Sequence, residues 1–161
     1  MKKILFVLVG LILTLQQTWS VEPHAADVSA KLSPELLELL RAEMREISVG
    51  VQGIAPAVAT ADWLSIQSTS EKIRASYILK QKLTPAQAAA LGQALPSQFK
   101  QLDVDFHRRA GLVAAAAAAH NAELVIFHYS RMLENCTACH SAFAKSRFPQ
   151  FSPSSENAHH H

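Results

Sequence analysis

The pentapeptide Cys136-Thr137-Ala138-Cys139-His140 lies near the C-terminus of a 161-residue chain. This Cys-x-x-Cys-His spacing is typical of the attachment site of a c-type haem. Residues three and four apart share one face of a helix, so both thiols and the imidazole would point the same way. Cys136 and Cys139 can then bond to the two vinyl groups of one porphyrin, and His140 can reach the iron as its proximal ligand. The motif therefore predicts one covalently attached haem c on a helix.

Two other kinds of site also use a Cys-x-x-Cys pair. A zinc site needs further ligands at metal spacing, and the chain has no other cysteine. A thioredoxin-like redox pair would accompany alternating strands and helices, and the sequence shows no such alternation. A chance occurrence of the motif is the remaining alternative.

The segment that carries the motif is predicted to be the last of four long helices. Asn121 is a suitable N-cap, and the helix is expected to run from about Ala122 to Phe148. Pro149 would stop it, because proline cannot continue a helix.

The helix before it is predicted to run from about Ser97 to Ala119. Apolar residues recur along it at steps of three and four: Phe99, Leu102, Phe106, Ala110, Val113 and Ala117. The tract Ala114 to Ala119 favours a close-packed helix face, since alanine is the strongest helix former. Its small side chains would admit a flat cofactor or a neighbouring helix.

Helix one is predicted to begin at Pro34 with Ser33 as its N-cap, and to end near Gly53 and Pro56. One continuous apolar seam follows its length: Leu37, Leu40, Met44, Ile47, Val51 and Ile54.

Helix two is predicted from about Thr60 to Lys80, and its inner face is expected to consist of Ile66, Ile73 and Tyr77. Residues 81–96 are a connector in which Thr84 and Pro85 form the start of a short helix over 86–94. Four long amphipathic helices and no strand signal predict an all-α fold, an antiparallel four-helix bundle with haem bound on its C-terminal helix.

Residues 1–20 have the pattern of a secretory signal peptide, with Lys2 and Lys3 before an apolar run that is too short to span a bilayer. Cleavage is expected after Ser20, and an uncleaved anchor is the alternative. Covalent haem attachment of this kind takes place outside the bacterial cytoplasm. The predicted location is therefore the periplasm.

The mature chain divides into two predicted parts. Residues 21–149 would form the four-helix cytochrome domain, in which residues 21–32 are a loose leader. Residues 150–161 would be a disordered tail ending in three histidines.

Composition favours a compact globular domain, with 49% apolar and 17% charged residues. Lys and Arg number 15 against 13 Asp and Glu, and loss of Lys2 and Lys3 would make the two groups equal. This balance gives no reason to expect nucleic acid or an anionic membrane surface as a partner. No general base, nucleophile or metal pair is recognisable, so an enzyme is not expected.

A haem motif this close to the C-terminus, on the last of four helices, resembles the class II cytochromes c, that is, the cytochrome c-prime family and its low-spin relatives. The stretches that carry the resemblance are Pro34 to Arg41, Phe99 to Phe106, Ala115 to Asn121 and Phe143. The chain departs from the pattern at Ala144, where a basic residue is usual, and Lys145 and Arg147 follow instead. The resemblance implies a monohaem protein that docks redox partner proteins through an exposed haem edge, and possible homodimers.

The second axial ligand would decide between two functions within that family. A Met thioether gives a six-coordinate iron suited to electron transfer, whereas an apolar residue leaves a position open to nitric oxide or carbon monoxide. Met44 is the candidate, since Met1 would leave with the signal peptide and Met132 shares a helix with His140. The family spacing places the ligand at Arg45, but Arg45 lies off the apolar seam that contains Met44. Met44 as a core filler is the alternative.

We therefore expect a periplasmic one-electron carrier with its iron ligated by His140 and Met44. The alternatives are a five-coordinate cytochrome c-prime and a haem-bearing accessory subunit of a larger enzyme. Arg41 is a candidate for pairing with a haem propionate, or else a solvated side chain. Three further histidines are expected to be surface or packing residues, with the first on a solvated face: His107, His120 and His128.

Overall fold

The computed structural model describes residues 27–151, and these form helices and no strands. The five α-helices are α1 (Pro34–Ala59), α2 (Trp63–Ala75), α3 (Pro85–Ala94), α4 (Ser97–Ala118) and α5 (Ala122–Phe143). Short 3-10 helices cover Val28–Lys31 and Pro149–Phe151. The predicted all-α class is confirmed. The predicted signal peptide, its cleavage after Ser20 and the tail from residue 152 onward lie outside the described residues.

Helix α1 begins as predicted and ends later than predicted. The Ser33 hydroxyl accepts a hydrogen bond from the Leu36 N–H at 3.3 Å, which caps the helix. The expected end at Pro56 is wrong, because the helix continues to Ala59. A proline in the last turn removes only one helical donor, and its carbonyl still accepts from the Thr60 N–H at 3.2 Å.

The buried face of α1 is rotated from the predicted seam. Four predicted seam residues are buried: Leu40, Ile47, Val51 and Ile54. Met44 is instead 37% exposed, whereas its neighbour Glu43 is 1% exposed. The prediction that Met44 lies within the packed seam is wrong, because the Glu43 carboxylate faces inward and makes hydrogen bonds there.

Glu43 also explains why α2 ends at Ala75 rather than at the predicted Lys80. Its carboxylate accepts four hydrogen bonds from the segment after α2: from the Ser76 hydroxyl and from the N–H groups of Tyr77, Ile78 and Leu79. Ser76 has a left-handed backbone with a φ of 61°, which breaks the helix. A buried carboxylate needs such donors, so this contact between distant segments outweighs the local helical pattern.

Helices α3 and α4 follow the predictions closely. Thr84 and Gln87 form a capping box at the start of α3. The predicted seam of α4 is buried apart from Leu102, which is half-buried. The prediction that His107 lies on a solvated face is wrong, because its side chain is 6% exposed. Its Nδ1 lies 2.6 Å from the carbonyl oxygen of Ile73 in α2.

The N-terminal end of the described chain packs more tightly than predicted, and the last helix ends earlier than predicted. The loose-leader prediction is wrong for Val28 and Leu32, which are buried in one cluster with Phe143. Asn121 caps α5 as predicted, with its side-chain oxygen 3.0 Å from the Leu124 N–H. The predicted end of this helix at Phe148 is wrong, because α5 ends at Phe143 and the chain turns back.

The four long helices contact one another in the order α1, α2, α4 and α5, and α5 returns to α1 with much less contact. The main core cluster fills the space between them, and a second cluster joins Val28, Leu36, Leu91 and Phe143. None of the helices within residues 27–151 is both long and apolar enough to cross a membrane. The weak α1–α5 contact leaves space for a cavity.

Candidate cofactor site

A cavity of about 570 Å³ lies between α1, α4 and α5. This volume is typical of small-molecule and cofactor sites and far exceeds ordinary packing voids. Apolar side chains from all three helices line most of it: Leu40, Ile47, Val51, Phe99, Leu102, Phe106 and Phe143.

The cavity brings together every residue that the sequence singled out for the site. Cys136, Cys139 and His140 line it from α5, and Met44 and Arg41 line it from α1. The helical geometry of α5 is what gives the two thiols and the imidazole a common face. Residues of α1 and α5 that are at least 92 positions apart in the sequence therefore line the same cavity.

Both thiols are partly buried and carry no disulfide. Burial raises the pKa of Cys136. Burial also raises the pKa of Cys139 to about 11, and the negative charges of Asp103 and Cys136 add to this effect. Both residues are therefore protonated thiols near neutral pH, unlike the reactive thiolates of dithiol redox enzymes.

The His140 imidazole is partly buried at the cavity wall. Burial lowers its pKa, and the positive charge of Arg147 lowers it further. Both effects favour the neutral imidazole, which is the form that binds metals. The ring of Phe148 stacks on it, with a centroid distance of 4.4 Å and an interplanar angle of 19°.

The α1 wall carries two arginines beside Met44. Arg45, which the family spacing would make the ligand, pairs with Glu38 at 2.8 Å and also lines the cavity. Arg41 is exposed at the rim, and no carboxylate within residues 27–151 lies within salt-bridge distance of it. Met44 and Arg45 therefore both reach the wall, with Met44 as the one apolar candidate ligand.

Sequence reasoning missed Asp27, which joins the two ends of the described chain at the cavity rim. Its Oδ2 accepts from the Ser146 N–H at 3.0 Å and from the Ser146 hydroxyl. Its Oδ1 accepts from the Ser29 N–H at 3.0 Å. Burial alone would raise the pKa of Asp27, but the bonds from Ser146 and Ser29 outweigh it and lower the pKa to about 2. Only the Asp-x-Ser turn was visible in the sequence, and nothing there pointed to Ser146.

The other three histidines within residues 27–151 lie away from the cavity. His107 is packed between α4 and α2, and the ring of His120 stacks on Trp63 at 5.5 Å. His128 lies on α5, and burial together with Arg109 and Arg108 lowers its pKa. None of the three lines the cavity, so His140 supplies the one imidazole that residues 27–151 place there.

No protein-family model, no curated protein and no solved structure matches this chain. The resemblance to class II cytochromes c stays a prediction from the motif and its spacing.

Proposed function

We propose that this chain is a periplasmic monohaem c-type cytochrome, an antiparallel four-helix bundle that carries single electrons between redox proteins. One observation carries the proposal. Cys136, Cys139 and His140 line a 570 Å³ cavity that Met44 also lines from another helix. A dithiol, a neutral imidazole and a thioether around one large apolar space are the groups that a covalently held, six-coordinate haem requires.

The residues present fit this group better than they fit the competing sites. Within residues 27–151, no three His, Cys, Asp or Glu side chains converge closely enough to hold a metal ion. Zinc would need such a set of ligands. A redox dithiol would need a lowered thiol pKa, whereas burial raises the pKa of both thiols here.

Haem c would supply an iron that alternates between ferric and ferrous states. Cys136 and Cys139 would hold the porphyrin edge through thioether bonds, and His140 and Met44 would be the two protein ligands of the iron. The phenylalanine and aliphatic walls of the cavity would keep water away from the haem. A poorly solvated site disfavours the more positively charged ferric state, and this raises the reduction potential. Arg41 offers a cation at the rim for a propionate.

A second function is favoured by one observation about Met44. Its side chain is 37% exposed at the cavity wall and belongs to neither core cluster. Packing therefore does not hold the sulfur in one place. If Met44 does not bind the iron, the open position would bind nitric oxide or carbon monoxide, as in five-coordinate members of the cytochrome c-prime family.

Absorption spectra of the haem-loaded protein, with and without carbon monoxide, distinguish the two functions. We expect a low-spin wild-type spectrum with the weak far-red sulfur-to-iron band and no response to carbon monoxide. Met44→Ala should become high-spin and respond to carbon monoxide. Val49→Ala is the matched control, since Val49 lies on α1, is 70% exposed and is not part of the cavity wall.

A wild-type spectrum that is already high-spin and shifts with carbon monoxide would exclude Met44 ligation and support gas binding. Identical spectra for wild type and Met44→Ala would show that Met44 only fills space.

A further inference from the structure

The chain after α5 folds back over the cavity, and we call residues 144–151 the C-terminal strap. It turns at Ala144, whose carbonyl oxygen accepts from the N–H groups of Arg147 at 3.1 Å and Phe148 at 3.0 Å. This turn places the Phe148 ring parallel to the His140 ring. Their centroid distance of 4.4 Å is the shortest of any aromatic pair within residues 27–151.

Asp27 holds the strap in this position. Its Oδ2 accepts from both the N–H and the hydroxyl of Ser146, two residues before Phe148. Asp27 is itself fixed, because its Oδ1 caps the following turn and Val28 is buried in the core cluster with Phe143. A continuous set of contacts therefore runs from the buried N-terminal segment through the strap to the His140 ring.

We infer that Phe148 is a positioning residue for His140. The ring torsion of a histidine is broad, so an imidazole at a helix surface does not have one fixed plane. A parallel aromatic ring that is tied down by Asp27 and Ser146 restricts that rotation. It thereby sets the plane that the imidazole presents to the cavity, as groups around a ligand commonly do.

The consequence for iron rests on the proposed function, whereas the stack itself does not. Phe148 also lines the cavity, and the role inferred here is the one that it exerts through His140. The orientation of an axial imidazole plane changes the magnetic anisotropy of the iron that it binds. Loss of Phe148 should therefore alter a spectroscopic signature without removing the haem.

The chain offers a matched control for this test. Phe151→Leu makes the same chemical change three residues later, at a ring that is 40% exposed and lies 6.5 Å from Phe148. Phe148→Leu removes the stack, and Asp27→Asn weakens the bonds to Ser146 while keeping the side-chain shape. All variants are made in the full chain.

The first measurement needs no haem. In NMR spectra of the haem-free chain, ring current from Phe148 should shift the His140 ring protons upfield in wild type and in Phe151→Leu. The shift should be lost in Phe148→Leu and reduced in Asp27→Asn. Equal His140 shifts in Phe148→Leu and Phe151→Leu would overturn the stack.

The second measurement is electron paramagnetic resonance of the ferric haem-loaded chain. The g values should change in Phe148→Leu and, less, in Asp27→Asn, and should match wild type in Phe151→Leu. Unchanged g values in Phe148→Leu would overturn the positioning role even if the NMR shift is present. If the haem-free chain does not fold, the electron paramagnetic resonance comparison tests the positioning role by itself. A chain whose mass shows no attached haem would instead reject the proposed function, and the NMR comparison would still decide the stack.

Discussion

The α2–α4 seam and the α1–α5 seam of this molecule are packed in opposite ways. Between α2 and α4 the interior residues are fully buried: Ile66, Ile73, Ala110, Val113 and Ala117 are each 0% exposed. Between α1 and α5 the helices barely touch, and a cavity of about 570 Å³ lies there instead. Small alanines on α4 permit close approach at the first seam, whereas large side chains line the cavity at the second.

The difference separates the residues that stabilise the fold from those that are free to hold a ligand. Glu43 and Met44 show this on consecutive positions of α1. We call the packed side of the bundle, formed by α1, α2 and α4, the closed side. Glu43 accepts four hydrogen bonds there, whereas Met44 lines the cavity with about a third of its surface exposed. We therefore expect changes on the closed side to affect stability and changes on the cavity side to affect ligand binding.

The largest stability effect is expected for Glu43→Ala. This change leaves the donors of Ser76, Tyr77 and the next two residues without their acceptor in a buried region. Because hydrogen bonds to a charged group contribute about 1.5–3 kcal/mol each and are not additive, we expect a loss of about 3 kcal/mol or more. Urea unfolding measures it. Glu46→Ala is the control, because Glu46 is exposed, and its free energy of unfolding should change by no more than about 0.5 kcal/mol. Similar losses in both variants would contradict the stabilising role of Glu43.

A smaller effect should distinguish two glycines on α1. A Cβ added at Gly53 would meet no atom within 4 Å, so Gly53→Ala should stabilise the helix by about 0.5–1 kcal/mol. A Cβ at Gly50 would lie 2.7 Å from the Tyr77 hydroxyl and 3.3 Å from Ile73, on the closed side. Thermal unfolding should therefore give a raised Tm for Gly53→Ala and a lowered Tm for Gly50→Ala. A rise in both would mean that the closed side has room to spare.

The smallest effect concerns Asp105, which links α4 to α5 beside the cavity. The hydrogen bond from Asn135, then that from Arg108, outweighs burial and lowers the pKa of Asp105 to about 2. Its folded pKa lies below the unfolded value of about 3.9, so its stabilising effect is present above pH 4 and is lost as the pH falls toward 2. Urea unfolding between pH 5 and pH 2 should show a flatter pH dependence for Asp105→Asn than for wild type. Parallel curves would contradict this assignment.

The starts of α1, α3 and α5 could be predicted from the sequence, whereas the ends of α1, α2 and α5 could not. Ser33, Thr84 and Asn121 each accept a hydrogen bond from an N–H three residues later, so the signal for a start lies within one turn. The end of α2 depends on Glu43, which is more than thirty residues away, and a local pattern contains no trace of it.

The candidate site divides in the same way. Cys136, Cys139 and His140 share a face because of helical spacing alone, so the sequence was sufficient for them. That Met44 lines the same cavity was also expected, whereas its predicted place within the packed seam is wrong, since it is 37% exposed. The contact between Asp27 and Ser146 spans 119 positions, and Phe148, which stacks on His140, lies two residues after Ser146. No periodicity or motif indicates such a contact.

We propose that Cys136 and Cys139 attach one haem, and the intact mass of the chain measures this attachment directly. The full chain would be produced in a bacterial host that is competent for c-type haem attachment, then denatured and weighed by mass spectrometry. We expect a mass raised by one tetrapyrrole in wild type, and no such increase when Cys136→Ser and Cys139→Ser are combined. A wild-type mass without the tetrapyrrole would show that the two cysteines do not attach haem.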